Sequence, residues 1–330
     1  MNKSIIAEIG SVHDGSIGNA IKAIELAAIC GADVVKFQTH IAEAETLQDA
    51  PSPYYFKGES RFDYFKRTEF TVSQWKKIKE ACVANKVLFL SSPFSIEAVD
   101  LLEEVGVDTY KIPSGEVSNI PMLEKIANLG KKVILSSGMS NWAELDEAVD
   151  VFKGKCELSV MQCSSSYPCL PSQVGLNIIP EMKERWDLPV GYSDHTLGFA
   201  ASFAAATLGA VIIEKHLTFS KYMYGSDAKN SMEPNEFTIF INGLREVWEM
   251  LEHPIDKDNV APYLEMKRIF EKSIVTACPI EANTIIGISH LAFKKPGDGI
   301  PASQYMSIVG KKIKKKLFTN HKLAPEDFYE

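Results

Sequence analysis

Short apolar runs recur along the first 255 residues, at 5–9, 34–37, 87–90, 109–112, 132–135, 157–161, 190–197 and 211–217. Between them lie segments with helical spacing of apolar positions, at 19–30, 71–85, 96–105, 121–129, 142–152, 174–186 and 197–208, and one more follows at 235–251. Runs of this length read as buried strands, and the intervening segments are long enough for helices. Punctuation agrees: Gly31 and Gly209 close two of the helical segments, and Thr71 opens another as an N-cap. Pro180 belongs near the start of its helix or at a kink. Eight strands in strict alternation with helices predict a parallel sheet wrapped by helices, and eight repeats favour a closed (β/α)8 TIM barrel. An open doubly wound sheet is the alternative, but no GxGxxG follows the first strand.

Two regions break the rhythm. Residues 39–68 are polar, rich in charges and aromatics, and too long for an ordinary connection, so they read as a functional loop. The aromatics Tyr54, Tyr55, Phe56, Phe62, Tyr64 and Phe65 are expected to pack that loop. Beyond residue 255 the texture changes to short β-like pieces at 273–277, 285–286, 290–293 and 308–309, separated by turns such as 295–299. This predicts a barrel over 1–255, a linker over 256–267 and a small, mostly β domain over 268–330.

Composition narrows the function classes. A net charge of -8 argues against a nucleic-acid binder. No apolar run approaches the ~20 residues of a membrane span, and Met1 to Ser4 lead straight into Ile5 without a signal-peptide pattern. The six cysteines form no CxxC pair and read as free buried thiols of a cytoplasmic enzyme. Lys311 to Lys316 reads as a solvated basic face.

In a TIM barrel, chemistry sits at the carboxyl ends of the strands. Those positions are Glu8, Lys36 with Gln38, Ser92, Lys111 with Ser114 and Glu116, Ser136 with Ser137, Gln162 with Ser165 and Tyr167, Ser193 with His195, and Glu214 with His216. Any one of them has a bland reading as a satisfied polar group, but polar residues end all eight strands. Lys36 and Lys111 among Ser92, Ser114, Ser136 and Ser193 suit phosphate and carboxylate. His195 and His216, leaving the same edge of neighbouring strands, could share one divalent ion. Water or substrate oxygens would complete the shell, a donor set that suits Mn²⁺ or Mg²⁺ as well as zinc. An anionic substrate beside a Lewis acid points to aldol-type or phosphate-eliminating chemistry.

At these residues the chain resembles the sialic acid synthase family, which includes N-acetylneuraminate, legionaminic acid and pseudaminic acid synthases. The matching segments are Ala7-Glu8-Ile9-Gly10 with His13-Asp14-Gly15, Val35-Lys36-Phe37-Gln38-Thr39, Ser92-Pro93-Phe94, Lys111-Ile112-Pro113-Ser114-Gly115-Glu116, Leu135-Ser136-Ser137-Gly138-Met139, Tyr167-Pro168, Gly191-Tyr192-Ser193-Asp194-His195-Thr196, Glu214-Lys215-His216 and Ser231-Met232-Glu233-Pro234. The tail through Lys295-Pro296-Gly297-Asp298-Gly299-Ile300 is similar to the antifreeze-like (SAF) domain of these synthases.

The resemblance implies condensation of phosphoenolpyruvate with an open-chain N-acylated amino-hexose, giving a nine-carbon 3-deoxy-2-keto acid and phosphate. It implies that His195 and His216 hold a metal, most in keeping with Mn²⁺, and that Lys36, Ser92, Lys111, Ser114, Ser136 and Ser193 bind phosphoenolpyruvate. Glu8, Gln38, Tyr167 and Asp227 would contact the sugar, and Glu116 would act as an acid–base group. It further implies a homodimer in which the tail domain, with Lys295, covers the partner's barrel. Two departures fall on the sugar side. Ala228 follows Asp227 where the family commonly has His, and Lys295 stands where Arg often precedes Pro-Gly. A shifted acceptor, such as a 6-deoxy or diamino sugar in place of N-acetylmannosamine, is therefore expected. The residues also leave open another keto-acid synthase or aldolase acting on a sugar phosphate, a Schiff-base aldolase using Lys111 or Lys215, and a carbohydrate-binding protein.

Overall fold

The computed structural model describes residues 3–52 and 58–329; Tyr54, Tyr55 and Phe56 lie outside them. Eight parallel strands close in chain order: β1 (Ser4–Gly10), β2 (Val34–Thr39), β3 (Leu88–Pro93), β4 (Thr109–Ile112), β5 (Lys132–Ser136), β6 (Leu158–Cys163), β7 (Val190–Asp194) and β8 (Ile212–His216). Closure is made by β1 against β8, with Glu8 opposite His216, so the barrel holds and the open sheet does not. The outer helices are α1 (Ile17–Cys30), then α2 (Ala42–Glu45) and α3 (Arg61–Thr68) inside the long excursion. They continue as α4 (Val72–Ala84), α5 (Ile96–Val105), α6 (Ile120–Asn128), α7 (Trp142–Phe152), α8 (Ile178–Trp186), α9 (Ala200–Thr207) and α10 (Pro234–Glu252).

The helix ends follow local chemistry. Thr71 and Gln74 form a reciprocal capping box at α4, and Ser16 caps α1. Gly31 and Gly209 take the left-handed backbone that ends a helix. Pro180 falls in the first turn of α8, where its missing N–H is not needed. Among the described residues, the stretch 39–68 contains two helices, not a plain loop. Tyr64 and Phe65 pack there with Ala42 and Phe62, as a self-packed excursion requires.

The period-two alternation of strand side chains decides what faces the interior. Ile5, Ala7 and Ile9 join the core beneath the helices. Ile6, Val34, Leu90, Ile134, Met161 and Ile212 form a separate apolar plug inside the barrel. Two residues further along those same six strands come Glu8, Lys36, Ser92, Ser136, Cys163 and Glu214, all buried. One turn of the pleat thus converts an oily layer into a polar one.

The chain folds as two compact units, Met1–His253 and Pro254–Glu330. The second unit opens with α11 (Leu264–Phe270), so part of the stretch expected as a linker is helical. It then pairs β9 (Ser273–Thr276) antiparallel with β10 (Leu291–Lys294) over its own core of Ile274, Ile280, Ile286, Leu291, Ile313 and Leu323.

Candidate active site

The polar layer is a chain of buried charges. Lys111 Nζ lies 2.9 Å from Glu214 Oε2, and Lys36 Nζ lies 3.4 Å from Glu214 Oε1 and 2.7 Å from Glu8 Oε2. Ser193 Oγ donates to Glu214 Oε1 at 3.4 Å. Burial alone would raise the Glu214 carboxyl, but Lys111 and Lys36 outweigh it and bring it down to about 2. Burial would lower the Lys36 ammonium, and Glu214 and Glu8 reverse this, raising it. For Glu8 burial prevails over Lys36, and its pKa is raised. Ser92 Oγ is buried at the same level with no hydrogen-bond partner among the described residues. A buried, unsatisfied hydroxyl in the same polar layer as two lysines is a donor set that suits an anion.

Above this layer, His195 and His216 share one rim, their ring centroids 5.7 Å apart. The His195 Nδ1 sits 2.9 Å from the Ser164 carbonyl, so that nitrogen carries the proton and Nε2 is left to accept from Tyr167 Oη at 3.0 Å. Cys163 Sγ is 3.9 Å from the same Nδ1. Burial would lower the His195 pKa, but Cys163 and the Ser164 carbonyl prevail and raise it. Burial takes His216 down to about 4, and its Nδ1 has no hydrogen-bond partner among the described residues. Among the described residues no three His, Cys, Asp or Glu side chains converge on one point. A cation here would therefore take two imidazoles from the protein and oxygens from elsewhere. A neutral His216 with an unsatisfied nitrogen fits that use.

The mouth opens into a cleft of about 590 Å³, lined among others by Gln38, His40, Arg61, Ser114, Tyr167 and Asp227. Gln38 Nε2 donates to Glu8 Oε1 at 2.7 Å, which links the cleft to the charged layer. Asp227 Oδ2 accepts from the backbone and hydroxyl of Ser11 at 3.0 and 2.8 Å. Ser114 Oγ accepts from Gly138 N–H at 3.1 Å, and a Cβ on Gly138 would come within 2.5 Å of both Ser114 Oγ and Ser165 Oγ. Glycine is what lets two hydroxyls crowd that backbone. Glu116 lies in a 3-10 turn just after β4, accepts from Asn119 Nδ2 at 2.7 Å, and has its pKa raised by burial.

The structure therefore gathers Glu8, Lys36, Gln38, Ser92, Lys111, Ser136, Ser193, His195 and His216 at the barrel's carboxyl end, with Ser114, Tyr167 and Asp227 around its cleft. Lys295 belongs to the C-terminal unit, where its ammonium lies 4.8 Å from the centre of the Phe270 ring. Lys215, open from sequence as a nucleophile, faces outward. It is 3.0 Å from Asp194 and donates to the Thr196 and Gly198 carbonyls. In sequence Glu214 is a strand-end residue without a role, and nothing singles out Cys163 or His40. Stepping by two from Ile212 puts Glu214 inside, where two buried lysines need a counter-charge.

A closed parallel barrel whose strand ends carry buried lysines, carboxylates and two histidines defines a (β/α)8 enzyme. The chain belongs to the NeuB family, whose model matches residues 23–256. It is 37% identical to the N,N'-diacetyllegionaminic acid synthase of Campylobacter jejuni, over 93% of this chain and 94% of that protein. The human N-acetylneuraminate-9-phosphate synthase is 33% identical, over 94% of this chain and 88% of that one. Among solved structures, the N-acetylneuraminic acid synthetase of Leptospira borgpetersenii, in complex with citrate, superposes with a TM-score of 0.71. It is 31% identical over 81% of this chain and 90% of that chain.

Proposed function

We propose that this protein is a transferase that condenses phosphoenolpyruvate with an N-acylated amino-hexose, forming a nine-carbon 3-deoxy-2-keto acid and phosphate. The observation that carries this is the buried Glu8–Lys36–Glu214–Lys111 chain with the unsatisfied Ser92 hydroxyl, Glu214 lying two residues before His216 on β8. Lys36, Lys111, Ser92, Ser114, Ser136 and Ser193 bind the phosphate and carboxylate of phosphoenolpyruvate. Glu8, Gln38, Tyr167 and Asp227 hold the open-chain sugar so that its aldehyde carbon faces C3, the methylene carbon of phosphoenolpyruvate. The new C–C bond joins those two atoms, water adds at C2, and phosphate leaves. Glu116, whose carboxyl burial pushes above the usual range, serves as the acid–base group.

His195 and His216 would hold a divalent cation, Mn²⁺ or Mg²⁺, which when bound supplies Lewis-acid polarisation of the aldehyde. The Ser164 carbonyl, accepting from Nδ1–H, orients the His195 ring and makes Nε2 the ligand nitrogen, which Tyr167 Oη would give up to the cation. The C-terminal unit is read as a SAF domain that covers the barrel of a partner in a homodimer and brings Lys295 to the acceptor. The protein would work in the cytoplasm; no helix among the described residues is long and apolar enough to cross a membrane.

Ala228 and Lys295 stand on the acceptor side, so a 6-deoxy-diacetamido hexose is favoured over N-acetylmannosamine. The test is the product mass from phosphoenolpyruvate with each amino-sugar, with and without Mn²⁺. A nine-carbon keto acid with stoichiometric phosphate is expected. Absence of phosphate release with every unphosphorylated amino-sugar would overturn the reading.

A further inference from the structure

One cleft side chain has no part in that reaction. His40, just beyond β2, lies flat between Phe65 and Phe94, with ring centroids 3.8 and 4.2 Å away. Its Nδ1 is 2.9 and 3.0 Å from the two Glu45 carboxylate oxygens, and its Nε2 is 3.2 Å from Gln38 Oε1. Both side chains of the His40–Glu45 pair are buried. Gln38 in turn donates to Glu8, which Lys36 contacts at 2.7 Å. The stacking ring of Phe65 comes from α3 and the carboxylate of Glu45 from α2, so this chain of contacts runs from the long excursion into the charged layer.

We propose that His40, braced by Glu45, is a positioning residue that fixes which edge of the Gln38 amide meets Glu8 and which edge is turned towards the acceptor cleft. This rests on the reading of Gln38 as an acceptor contact. Donors and acceptors must match along the chain of contacts. Glu8, paired with Lys36, is an acceptor, so the Gln38 amide must present its NH2 to it. The Gln38 carbonyl then needs a donor on its other side, and His40 Nε2–H supplies it. Both nitrogens of the ring face acceptors, Nδ1 the Glu45 carboxylate and Nε2 the Gln38 carbonyl. The stack between Phe65 and Phe94 stops the ring from tilting away. Without the His40 donor the amide can turn, and its carbonyl would then oppose the Glu8 carboxylate.

Two variants of the full-length protein separate positioning from packing. His40→Phe keeps the stack and removes both hydrogen bonds. Glu45→Gln keeps the shape and removes the charge that orients the ring. Phosphate release is followed while phosphoenolpyruvate and the amino-sugar are varied in turn. Each variant is expected to raise the acceptor KM by about tenfold, the worth of roughly one hydrogen bond, while the phosphoenolpyruvate KM moves less than about twofold. The double variant should be no worse than His40→Phe alone, because both act through one amide. An unchanged acceptor KM in both variants, or both KM values rising together, overturns the proposal. If His40→Phe does not fold, Glu45→Gln decides. A second readout needs no turnover. The Gln38 side-chain amide signals in ¹H–¹⁵N spectra, identified by their loss in Gln38→Met, should be exchange-protected in the wild type and lose protection in both variants. Protection that persists in both overturns the positioning role even if the acceptor has been misidentified.

Discussion

Glu214 and Lys111 stand on opposite staves of the barrel, β8 and β4, and their charged atoms meet across its interior at 2.9 Å. No local contact brings them together; the closure of the barrel does. Glu214 also faces Lys36, so one carboxylate serves two buried ammonium groups. Removing one partner of a buried ion pair leaves an uncompensated charge, which costs about 3–5 kcal/mol. Glu214→Gln is therefore expected to lower the unfolding free energy by about that much in urea titrations. Adding Lys111→Met should recover part of the loss, because the stranded cation goes with it. A Glu214→Gln protein as stable as the wild type would show that the layer is not held by this pair.

Acid sensitivity should come from buried histidines before carboxylates. His13 is buried, accepts from the Gly15 N–H at 3.1 Å, and packs on Phe70. Burial, aided by His40 nearby and opposed by Asp227, takes it from 6.5 down to about 4. Its folded pKa lies below its unfolded value, so between those two values the unfolded chain binds the extra proton. The stability it permits is complete above pH 6.5 and is lost as pH falls towards 4, at no more than about 1.4 kcal/mol per pH unit. His216 has the same sign and window. Unfolding free energy measured from about pH 7 to about 4.5 should fall, and His13→Gln should flatten the slope by about one proton. An unchanged slope in that variant would remove His13 from the account.

The histidine pair predicts a metal requirement with a definite pattern. Chelation with EDTA should abolish phosphate release, and Mn²⁺ should restore it. His216→Gln should cut kcat by at least about 10²-fold, while Tyr167→Phe, which frees His195 Nε2 from the competing hydroxyl, should leave apparent Mn²⁺ affinity unchanged or tighter. Full activity in the presence of EDTA would count against a metal at this rim.

The barrel was legible because its strands and helices differ in hydrophobic period, and the polar strand ends marked the carboxyl rim. The partition of that rim was less legible. Glu8, Lys36 and Glu214 are ordinary strand-end residues in sequence, and only the register of β1 with β2 and β8 reveals that they neutralise one another. Lys215 shows the converse. It adjoins Glu214 and His216 in sequence, yet the alternation of a strand turns it outward to Asp194. His40 is silent in the sequence because its partners Glu45, Phe65 and Phe94 come from three different segments, which no local spacing connects.

Gly10 offers the sharpest test of how the acceptor side is built. At the end of β1 the pairing with β2 slips by one residue, Glu8 facing Lys36 and Gly10 facing Phe37. Gly10 takes a φ of +52 there, and a Cβ on it would overlap the Asp227 carboxylate. The bulge thus lets β1 pass directly under the aspartate that Ser11 then fixes through two hydrogen bonds. Gly10→Ala should cost about 1–2 kcal/mol for the left-handed backbone, and it should also displace Asp227. If Asp227 contacts the sugar, the acceptor KM should rise in Gly10→Ala and in Asp227→Asn alike, with the phosphoenolpyruvate KM unmoved in both. A Gly10→Ala enzyme that loses stability but keeps its acceptor KM would show that the bulge serves the fold alone, and that Asp227 is not where the sugar is read.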